Sequence, residues 1–416
     1  MVSQGTLVFT APLDTERLKE RLAETPAFVY DETRIIHALD RLAEVRKVSG
    51  LRILYSVKAF PFVEALRLIL SRADGFSVSS LFEARLASEI VEAAARRFSR
   101  KASLHITTPG LRVNEIEEIA AHCDFVSFNS LEQFERLGPR VAGRTSIGLR
   151  VNPQLSFLGD GRYDPCRLHS KLGIPVDDLA RALDRAPLLD KRIAGLHFHT
   201  SFESRSFAPL KATLDRIETA LGGFMDGLEW INLGGGYLFE NSQDLDDLSE
   251  LVAGLKMRRG TDVYFEPGKA IVGSAGCLVA SVIDLFGRDG KTVAVLDTGV
   301  NHLPEVFEYQ KVPPLAEHRP DGAFEYLLVG STCLAGDVFG DYRFREPLNI
   351  GDRLVFPNVG AYSLIKATRF NGYDLPLIFA SDQHGEIQAM KRFGYDDYRK
   401  QWSASEPELA ANRNRD

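Results

Sequence analysis

The feature of this sequence that most constrains its fold is a regular alternation of short apolar runs and amphipathic segments in the first two-thirds of the chain. Eight runs have the length and composition of buried β-strands, and they cover residues 51–58, 75–79, 104–108, 125–129, 146–152, 194–200, 230–236 and 262–267. Segments between them, such as 61–72, 81–97 and 115–122, repeat Leu, Ala and Ile at helical spacing. Eight strand–helix repeats over roughly 220 residues predict an α/β fold, a (β/α)8 barrel.

The pattern changes after Gly268. Apolar runs at 277–285, 292–297, 326–329 and 353–357 are separated by Gly, Asp and Pro turns instead of long helices, which predicts a second, mostly antiparallel β domain. We expect the barrel domain at 26–270 and the β domain at 1–25 and 271–391, with the run at 7–9 free to add a strand. Residues 392–416 are expected to form an exposed helical tail that frays.

Composition argues against several classes of function. With 50 basic and 57 acidic side chains the net charge is −7 and the pI is near 5.8, which argues against a nucleic-acid partner. Cys123, Cys166, Cys277 and Cys333 lie far apart, which favours reduced thiols over disulfides or a zinc site. The sequence has neither an export signal nor a run of about 18 apolar residues. We therefore expect a cytoplasmic protein that acts on a small molecule, without a membrane partner.

In barrels of this type, catalytic groups lie at the carboxyl ends of the strands. Lys58 follows the apolar run 53–57, where burial would lower the pKa of its amine, as covalent bonding to a carbonyl compound requires. Considered alone, Lys58 is better explained as a solvated surface lysine. However, almost every predicted strand ends in a group that can react or approach a ligand, namely Lys58, Ser79, Thr108, Asn129, Asn152, His199, glycines 234–236 and Glu266.

Three of these strand ends suggest a particular ligand. The glycines 234–236 let backbone N–H groups approach a phosphate, although a flexible turn is the alternative. Glu266 can keep a ring nitrogen protonated, or else close the barrel through an ion pair. We expect His199 to face the barrel mouth and His197 to point away from it, as a packing or hydrogen-bonding residue. A phosphate cradle, a lysine, an imidazole and a carboxylate together predict pyridoxal phosphate as the cofactor.

Five stretches of sequence carry a resemblance to a known family. They are 79–85 (SSLFEAR), 195–200 (GLHFHT), 232–236 (NLGGG), 333–342 (CLAGDVFGDY) and 370–372 (FNG). From residue 26 to residue 395 the sequence resembles the fold type III pyridoxal-phosphate decarboxylases, which are alanine racemase/ornithine decarboxylase-like enzymes, and within them the carboxynorspermidine (carboxyspermidine) decarboxylases. The resemblance implies a decarboxylase that removes the α-carboxylate of an amino acid.

The resemblance also implies roles for single residues of the barrel domain. Lys58 would bind the cofactor covalently, and His199 would stack on the cofactor ring. Gly234, Gly235 and Gly236 would hold the phosphate, and Glu266 would keep the pyridine nitrogen protonated.

In the second domain, the resemblance implies that Tyr362 touches the phosphate. Cys333 would donate a proton and Asp337 would bind the substrate amine, both reaching the site from a neighbouring subunit, so that the active site is complete only in a homodimer. On the residues alone, these three positions fit a core aromatic, a small buried side chain and a turn residue.

Substrate choice depends on a smaller set of acidic and basic residues. Glu203, Asp337 and the stretch 302–308, which contains His302, Glu305 and Glu308, resemble the polyamine enzymes and predict carboxynorspermidine or carboxyspermidine as the substrate. That family usually has cysteine and glutamate where this chain has Phe202 and Lys269. Because Lys269 reverses a charge, it favours a substrate with an extra carboxylate, either diaminopimelate-like or a siderophore or other specialised-metabolite precursor.

Three other interpretations are weaker. A racemase would prefer arginine at the position of Glu266, and a metal-dependent barrel hydrolase would need a cluster of His and Asp ligands at the strand ends. A non-catalytic homologue that acts as a regulator would not need to keep Lys58, His199, Glu266 and Cys333.

Overall fold

The computed structural model describes residues 14–98, 101–186, 192–239 and 242–404, so the run predicted at 7–9 lies outside the described residues. The chain divides into two compact units. The barrel unit spans 34–272, and the sheet unit comprises 14–33 together with 273–404.

The β-strands of the described residues are numbered along the chain. They are β1 (Ala27–Asp31), β2 (Arg52–Ser56), β3 (Gly75–Val78), β4 (Ser103–Thr107), β5 (Phe125–Phe128), β6 (Ser146–Asn152), β7 (Ile174–Pro175), β8 (Gly195–His197), β9 (Trp230–Asn232), β10 (Asp262–Phe265), β11 (Gly276–Arg288), β12 (Lys291–Leu296), β13 (Phe324–Val329), β14 (Val338–Phe344), β15 (Arg353–Pro357), β16 (Leu377–Ser381) and β17 (Ile387–Lys391).

The α-helices of the described residues are numbered in the same way. They are α1 (Thr15–Arg21), α2 (Glu32–Ser49), α3 (Val63–Leu70), α4 (Leu81–Phe98), α5 (Ile116–His122), α6 (Leu131–Val141), α7 (Val176–Arg185), α8 (Ala208–Leu221), α9 (Ser242–Arg259), α10 (Lys269–Val272), α11 (Pro304–Tyr309), α12 (Ser363–Lys366) and α13 (Tyr395–Trp402).

The barrel unit is a closed parallel sheet. Its strands pair in the order β2, β3, β4, β5, β6, β8, β9 and β10, and β10 pairs back with β2. These eight strands are the eight runs predicted from the sequence, so the prediction of a (β/α)8 barrel is confirmed. The two-residue β7 adds to the edge of β6 and was not predicted.

Side-chain size explains how the interior of the barrel is filled. Trp230 is 2% exposed and packs with Leu54 and Tyr264. Gly148 and Gly195 pair with each other on adjacent strands, and a Cβ atom at either position would come within 2.3 Å of the Trp230 ring. The two strand glycines therefore make room for the indole, which fills the barrel below the site.

Two helices of the barrel begin with the same arrangement of side chains. Ser80 accepts a hydrogen bond from the N–H of Glu83, and Ser130 accepts one from the N–H of Gln133. Glu83 and Gln133 in turn accept the N–H groups of Ser79 and Asn129, each at 2.7 Å. This reciprocal capping fixes the start of α4 and α6 and places Ser79 and Glu83 at the carboxyl end of β3.

The sheet unit confirms the second, mostly antiparallel β domain. Its strand order is β14, β13, β12, β11, β1, β16 and β17, with β15 also paired to β11. Five of its seven pairings are antiparallel, the exceptions being β1 with β16 and β12 with β13. The strands β14, β16 and β17 were not predicted. In β14 buried and exposed residues are mixed, and β17 has no buried residue, so neither forms a continuous apolar run in the sequence.

The first strand belongs to the sheet unit, whereas the sequence interpretation included it in the barrel. Residues of β1 pair with β11 on one side and with β16 on the other. Four of its five residues are buried, a pattern that fits a strand in either unit, so only the long-range pairing decides its place. Ala27 and Val29 lie in a core with Leu18, Cys277 and Phe379.

Among the described helices, none combines the length and the apolar character needed to cross a membrane.

Candidate active site

Lys58 lies directly beyond β2, in a single helical turn formed by Val57–Ala59. Its side chain is exposed within a cavity at the carboxyl end of the barrel strands and is surrounded there by protein. This enclosure lowers the pKa of the Lys58 amine; Glu266 opposes the shift and Arg150 adds to it. A lysine in this environment is more easily deprotonated to a nucleophile than a surface lysine.

The cavity has a volume of about 410 Å³ and is built from the barrel unit. That is enough room for a cofactor-sized molecule. The residues that line it are Lys58, Ser77, Ser79, Thr107, Thr108, Pro109, Arg150, Arg162, Tyr163, Asp164, Pro165, Arg167, Ser170, Lys171, Leu172, His197, His199, Phe202 and Glu266.

Glu266 follows β10 and is held as a carboxylate by its neighbours. The side-chain amide of Asn232 donates to its Oε1 at 2.7 Å, and Nε2 of His197 lies 3.5 Å from its Oε2. Burial alone would raise the pKa of Glu266, but His197, Asn232 and Lys58 outweigh burial, so this pKa lies well below its ordinary value. The carboxylate and the Lys58 amine line the same cavity, as an arrangement around one cofactor requires.

Both histidines of the sixth barrel strand line the cavity, so the prediction that His197 points away is wrong. Residues two positions apart in a strand share a face, and β8 places His197 and His199 on the inner one. The N–H of Gly235 donates to Nδ1 of His199 at 3.1 Å, which leaves the ring proton on Nε2. Burial lowers the pKa of both rings, and Lys58 and Arg150 add to the effect.

The three glycines after β9 are packed against the backbone of neighbouring strand ends. A Cβ atom at Gly234 would lie 2.2 Å from the carbonyl of Phe198, and one at Gly235 would lie 2.1 Å from that of Glu266. The N–H of Gly234 donates to Oδ1 of Asn232, and that of Gly235 to His199. Two of the three glycine N–H groups are therefore already used within the protein.

A smaller anion cradle remains at Gly236. Its φ is +92°, and a Cβ atom there would lie 1.9 Å from the carbonyl of Ser201. Within the described residues, the Gly236 N–H has no acceptor, and the Ser201 hydroxyl, 1% exposed as a residue, has no hydrogen-bond partner. A half-buried N–H donor beside a buried serine, both without protein partners among the described residues, fits a bound phosphate group.

The sequence interpretation missed two charged residues that act on the Lys58 amine, Arg150 and Glu83. Arg150 is 8% exposed, lines the cavity from β6, and pairs across strands with His197. Burial lowers its pKa to about 10, although Glu266 favours the cation. Burial likewise raises the pKa of Glu83. An arginine inside the apolar run 146–152 was the available signal for Arg150.

A long loop at 153–173 supplies eight of the residues that line the cavity. The buried carboxylate of Asp164 organises it, because it accepts the N–H of Cys166 at 2.8 Å and the hydroxyl of Ser156. Asn129 and Asn152, predicted as strand-end site residues, tie the end of this loop to the barrel through the carbonyls of residues 171 and 172. The loop therefore forms one ordered wall of the site.

Phe202 meets this wall from the β8 side. Its ring stacks on that of Tyr163, with the ring centroids 4.9 Å apart and an angle of 25° between the planes. Both rings line the cavity, so its mouth has an aromatic wall where the sequence resemblance led us to expect a cysteine.

Glu203 and Lys269, both predicted to bind substrate, bind each other. The Lys269 Nζ atom lies 2.6 Å from Oε1 of Glu203, and the two side chains are 23% and 29% exposed. Neither residue is among those that line the cavity. The charge reversal inferred for Lys269 is therefore neutralised locally.

The other predicted residues lie in the sheet unit. Cys333 is exposed, and its N–H donates to Oδ1 of Asn371 at 2.8 Å. Asp337 is 3% exposed and accepts three hydrogen bonds, from the N–H of Val300 and from the N–H and hydroxyl of Thr332. The Asp337 carboxylate thus holds together the two loops that precede and carry Cys333.

The sheet unit also holds the remaining predicted residues, His302, Glu305, Glu308 and Tyr362. His302 is buried, its Nδ1 lies 2.9 Å from the Thr298 hydroxyl, and burial lowers its pKa to about 4. Glu308 forms an ion pair with Lys366, whereas Glu305 has no hydrogen bond or ion pair with the described residues. Tyr362 is half-buried and has a φ of +66°.

Comparison with known proteins identifies the family of the chain. Residues 27–360 match the family described as "Pyridoxal-dependent decarboxylase, C-terminal sheet domain". The carboxynorspermidine/carboxyspermidine decarboxylase of Campylobacter jejuni is 33% identical over 394 residues, which cover 90% of this chain and 97% of the relative. The carboxyaminopropylagmatine decarboxylase of Synechocystis is 32% identical over 381 residues, which cover 90% and 94%.

A solved structure has the same fold. Carboxynorspermidine decarboxylase from Campylobacter jejuni, crystallised with norspermidine, superposes with a TM-score of 0.80 and 32% identity over 91% of this chain and 100% of that chain.

Barrel and sheet unit together place the chain in the class of fold type III pyridoxal-phosphate enzymes. Within that class, it belongs to the pyridoxal-dependent decarboxylase family: it is a decarboxylase, and its cofactor is pyridoxal 5′-phosphate. The predictions of fold class, family, enzyme class and cofactor are confirmed.

Proposed function

We propose that this decarboxylase converts carboxynorspermidine or carboxyspermidine to the corresponding polyamine. The observation that carries the chemistry is that Lys58 and Glu266 line one cavity of about 410 Å³. The substrate is supported by the name of the Campylobacter jejuni relative and by the norspermidine bound to the solved structure.

Three residues of the barrel would hold the cofactor ring. Lys58 would attach it covalently, since the lowered pKa of its amine makes the neutral form accessible. Glu266, kept ionised by Asn232 and His197, would pair with a protonated ring nitrogen. His199 would contact the ring as a neutral imidazole, because Gly235 fixes its tautomer.

The phosphate would be bound at the glycine loop. Gly236 offers an N–H without an acceptor among the described residues. Ser201, whose backbone carbonyl packs against Gly236, has a buried hydroxyl without a partner among them. Gly234 and Gly235 would shape the loop, since their own N–H groups bind Asn232 and His199. Tyr362 is proposed as a further phosphate contact on the basis of sequence resemblance.

Bound pyridoxal phosphate supplies an electron-withdrawing ring that stabilises the charge left on the substrate carbon when carbon dioxide departs. The Glu266 carboxylate strengthens this withdrawal by favouring the protonated ring nitrogen. The loop at 153–173 and Phe202 form walls that limit the entry of water to the reacting carbon.

We also propose that the enzyme is a homodimer in which Cys333 of one chain donates the proton that replaces carbon dioxide in the site of the other. The exposed position of Cys333 supports this role. Asp337 would act by holding the loop of Cys333, because its carboxylate already accepts three hydrogen bonds. His302, Glu305 and Glu308 remain candidates for binding the amines of the substrate.

A second substrate class is favoured by one observation. Arg167 and Lys171 line the cavity, and neither forms an ion pair with a carboxylate of the described residues. Two such cations at the mouth would attract a substrate with an extra carboxylate, as in diaminopimelate or a specialised-metabolite precursor, and would oppose a polyamine chain.

The test is release of carbon dioxide by the purified holoenzyme from carboxynorspermidine, carboxyspermidine, diaminopimelate, ornithine and lysine. We expect kcat/KM for one of the two polyamine precursors to exceed that for diaminopimelate by about tenfold or more. A preference for diaminopimelate would select the second substrate class. Absence of turnover with all five compounds, by an enzyme shown to contain cofactor, would contradict the proposed polyamine substrates.

A further inference from the structure

The ion pair between Glu203 and Lys269 connects two loops that flank the glycine loop. Glu203 lies in the loop after β8, and Lys269 begins α10 after β10. In the barrel, β9 lies between β8 and β10, and its own loop carries Gly234 to Gly236. The pair with its 2.6 Å contact therefore joins the neighbours on both sides of the glycine loop.

The β8 loop is also bonded directly to the glycine loop. The N–H of Ser204 donates to the carbonyl of Gly236 at 2.9 Å, and the N–H of Leu238 donates to the carbonyl of Ser204 at 2.7 Å. Ser204 and Tyr237 form an isolated parallel β-bridge. Because Ser204 follows Glu203 immediately, any shift of Glu203 would move the backbone that holds Gly236.

Glu203 itself has an unusual backbone conformation. Its φ is +52°, in the left-handed region that side chains other than glycine rarely adopt. Such a conformation is unfavourable for a glutamate and persists only where contacts with the surroundings hold it. The ion pair with Lys269 is the side-chain contact that the described structure gives Glu203.

We propose that Glu203 and Lys269 form a brace that keeps the glycine loop in the shape that binds the cofactor phosphate. Both are positioning residues, because the Lys269 amine and the Glu203 carboxylate bind each other. This inference rests on the proposed phosphate site at Gly236 and replaces the substrate-binding role predicted for the two residues.

Two cofactor forms distinguish the brace from a general loss of structure. Pyridoxal phosphate and pyridoxal share the ring and the aldehyde and differ only in the phosphate. If the brace shapes the phosphate site, its loss weakens the binding of pyridoxal phosphate and leaves the binding of pyridoxal unchanged. A disturbed barrel would weaken the binding of both compounds.

The experiment measures the dissociation constants of both compounds with the apo-enzyme, by the absorbance of the bound chromophore. We expect Lys269→Met and Glu203→Gln each to raise the dissociation constant of pyridoxal phosphate by about tenfold. The dissociation constant of pyridoxal should change by less than about twofold. The exchanged pair, Glu203→Lys with Lys269→Glu, should return to within about threefold of the parent. The control is Arg216→Met, which breaks a 2.6 Å ion pair with Asp177 on the outer helices α7 and α8 and should leave both constants unchanged.

Three results would overturn the brace. Equal weakening of both compounds would mean that the pair supports only the fold. If Lys269→Met weakens the binding of pyridoxal phosphate, Glu203→Gln does not, and the exchanged pair does not restore binding, Lys269 is a direct phosphate ligand. Unchanged dissociation constants in all variants would show that Glu203 and Lys269 have no role in cofactor binding. A parent enzyme that binds pyridoxal as tightly as pyridoxal phosphate would instead refute the proposed phosphate site, from which the brace follows.

Discussion

The side-chain amide of Asn232 donates a 2.7 Å hydrogen bond to Oε1 of Glu266, while its Oδ1 accepts the N–H of Gly234 at 2.9 Å. Asn232 is 1% exposed and is the last residue of β9. One amide side chain thus connects the carboxylate proposed for the ring nitrogen with the loop proposed for the phosphate. An amide is suited to this position, since it donates and accepts at once.

We expect Asn232→Leu to lower kcat by about 10- to 100-fold, because a hydrogen bond to a buried charged group is worth about 1.5–3 kcal/mol. Loss of the donor raises the pKa of Glu266 from its lowered value. The acid limb of the kcat profile should therefore move to higher pH, since the carboxylate form is then lost earlier as pH falls. The profile from pH 4 to 9 is the measurement, and a variant whose kcat falls towards pH 4 no more steeply than that of the parent would contradict this role of Asn232.

Lys58→Ala should lower turnover by at least about a thousandfold, because the variant lacks the amine proposed to attach the cofactor. Absorbance and borohydride reduction followed by mass spectrometry report whether cofactor is attached to the chain. Lys211→Ala, on the exposed face of α8, is the matched control and should keep full turnover and labelling. Labelling of the Lys58 variant at the parent level would refute the assignment.

The barrel and the rim of its strands were predictable because each is encoded locally. Eight apolar runs gave the strands, and Lys58 and Glu266 stand at strand ends where the fold places catalytic groups. The place of β1 was not predictable, since its partners β11 and β16 are about 250 and 350 residues away.

The finer features of the site depend on contacts that a single sequence does not display. Glu203 and Lys269 were each interpreted by charge alone, and only the structure shows that they neutralise each other. Arg150 lies within an apolar run, and Asn232 lies next to the glycines 234–236, to which the interpretation of this stretch was limited. His197 is different: its position two residues before His199 was sufficient to place both on one face.

Arg150 gives a prediction on pH. The neutral amine of Lys58 is the form that reacts, so attachment of pyridoxal phosphate to the apo-enzyme should accelerate as pH rises and level off below the value of about 10.4 for free lysine. Arg150 helps to lower the pKa of Lys58, so Arg150→Met should move this limb to higher pH. Stopped-flow absorbance from pH 6 to 10 measures the limb, and the same limb in both enzymes would contradict the coupling.

The same variant separates function from stability. Arg150 is a buried cation without a side-chain hydrogen bond or ion pair to the described residues, and burial lowers its pKa to about 10, so that an apolar side chain of similar size removes a cost of desolvation. Because Glu266 already has Asn232 and His197 as partners, we expect Arg150→Met to unfold at the same or a higher temperature than the parent. A clear loss of thermal stability would assign Arg150 a structural role instead.

Phe202 gives a prediction on substrate length. Its stack with Tyr163 narrows the cavity at the wall formed by the loop at 153–173. Carboxyspermidine is one methylene longer than carboxynorspermidine, so Phe202→Ala should raise the ratio of kcat/KM for the longer over the shorter substrate by about tenfold. Phe202→Leu, which restores most of the lost volume, should return the ratio toward the parent value. If the parent, Phe202→Ala and Phe202→Leu bind cofactor normally and give the same ratio of kcat/KM, the substrate chain does not reach this wall.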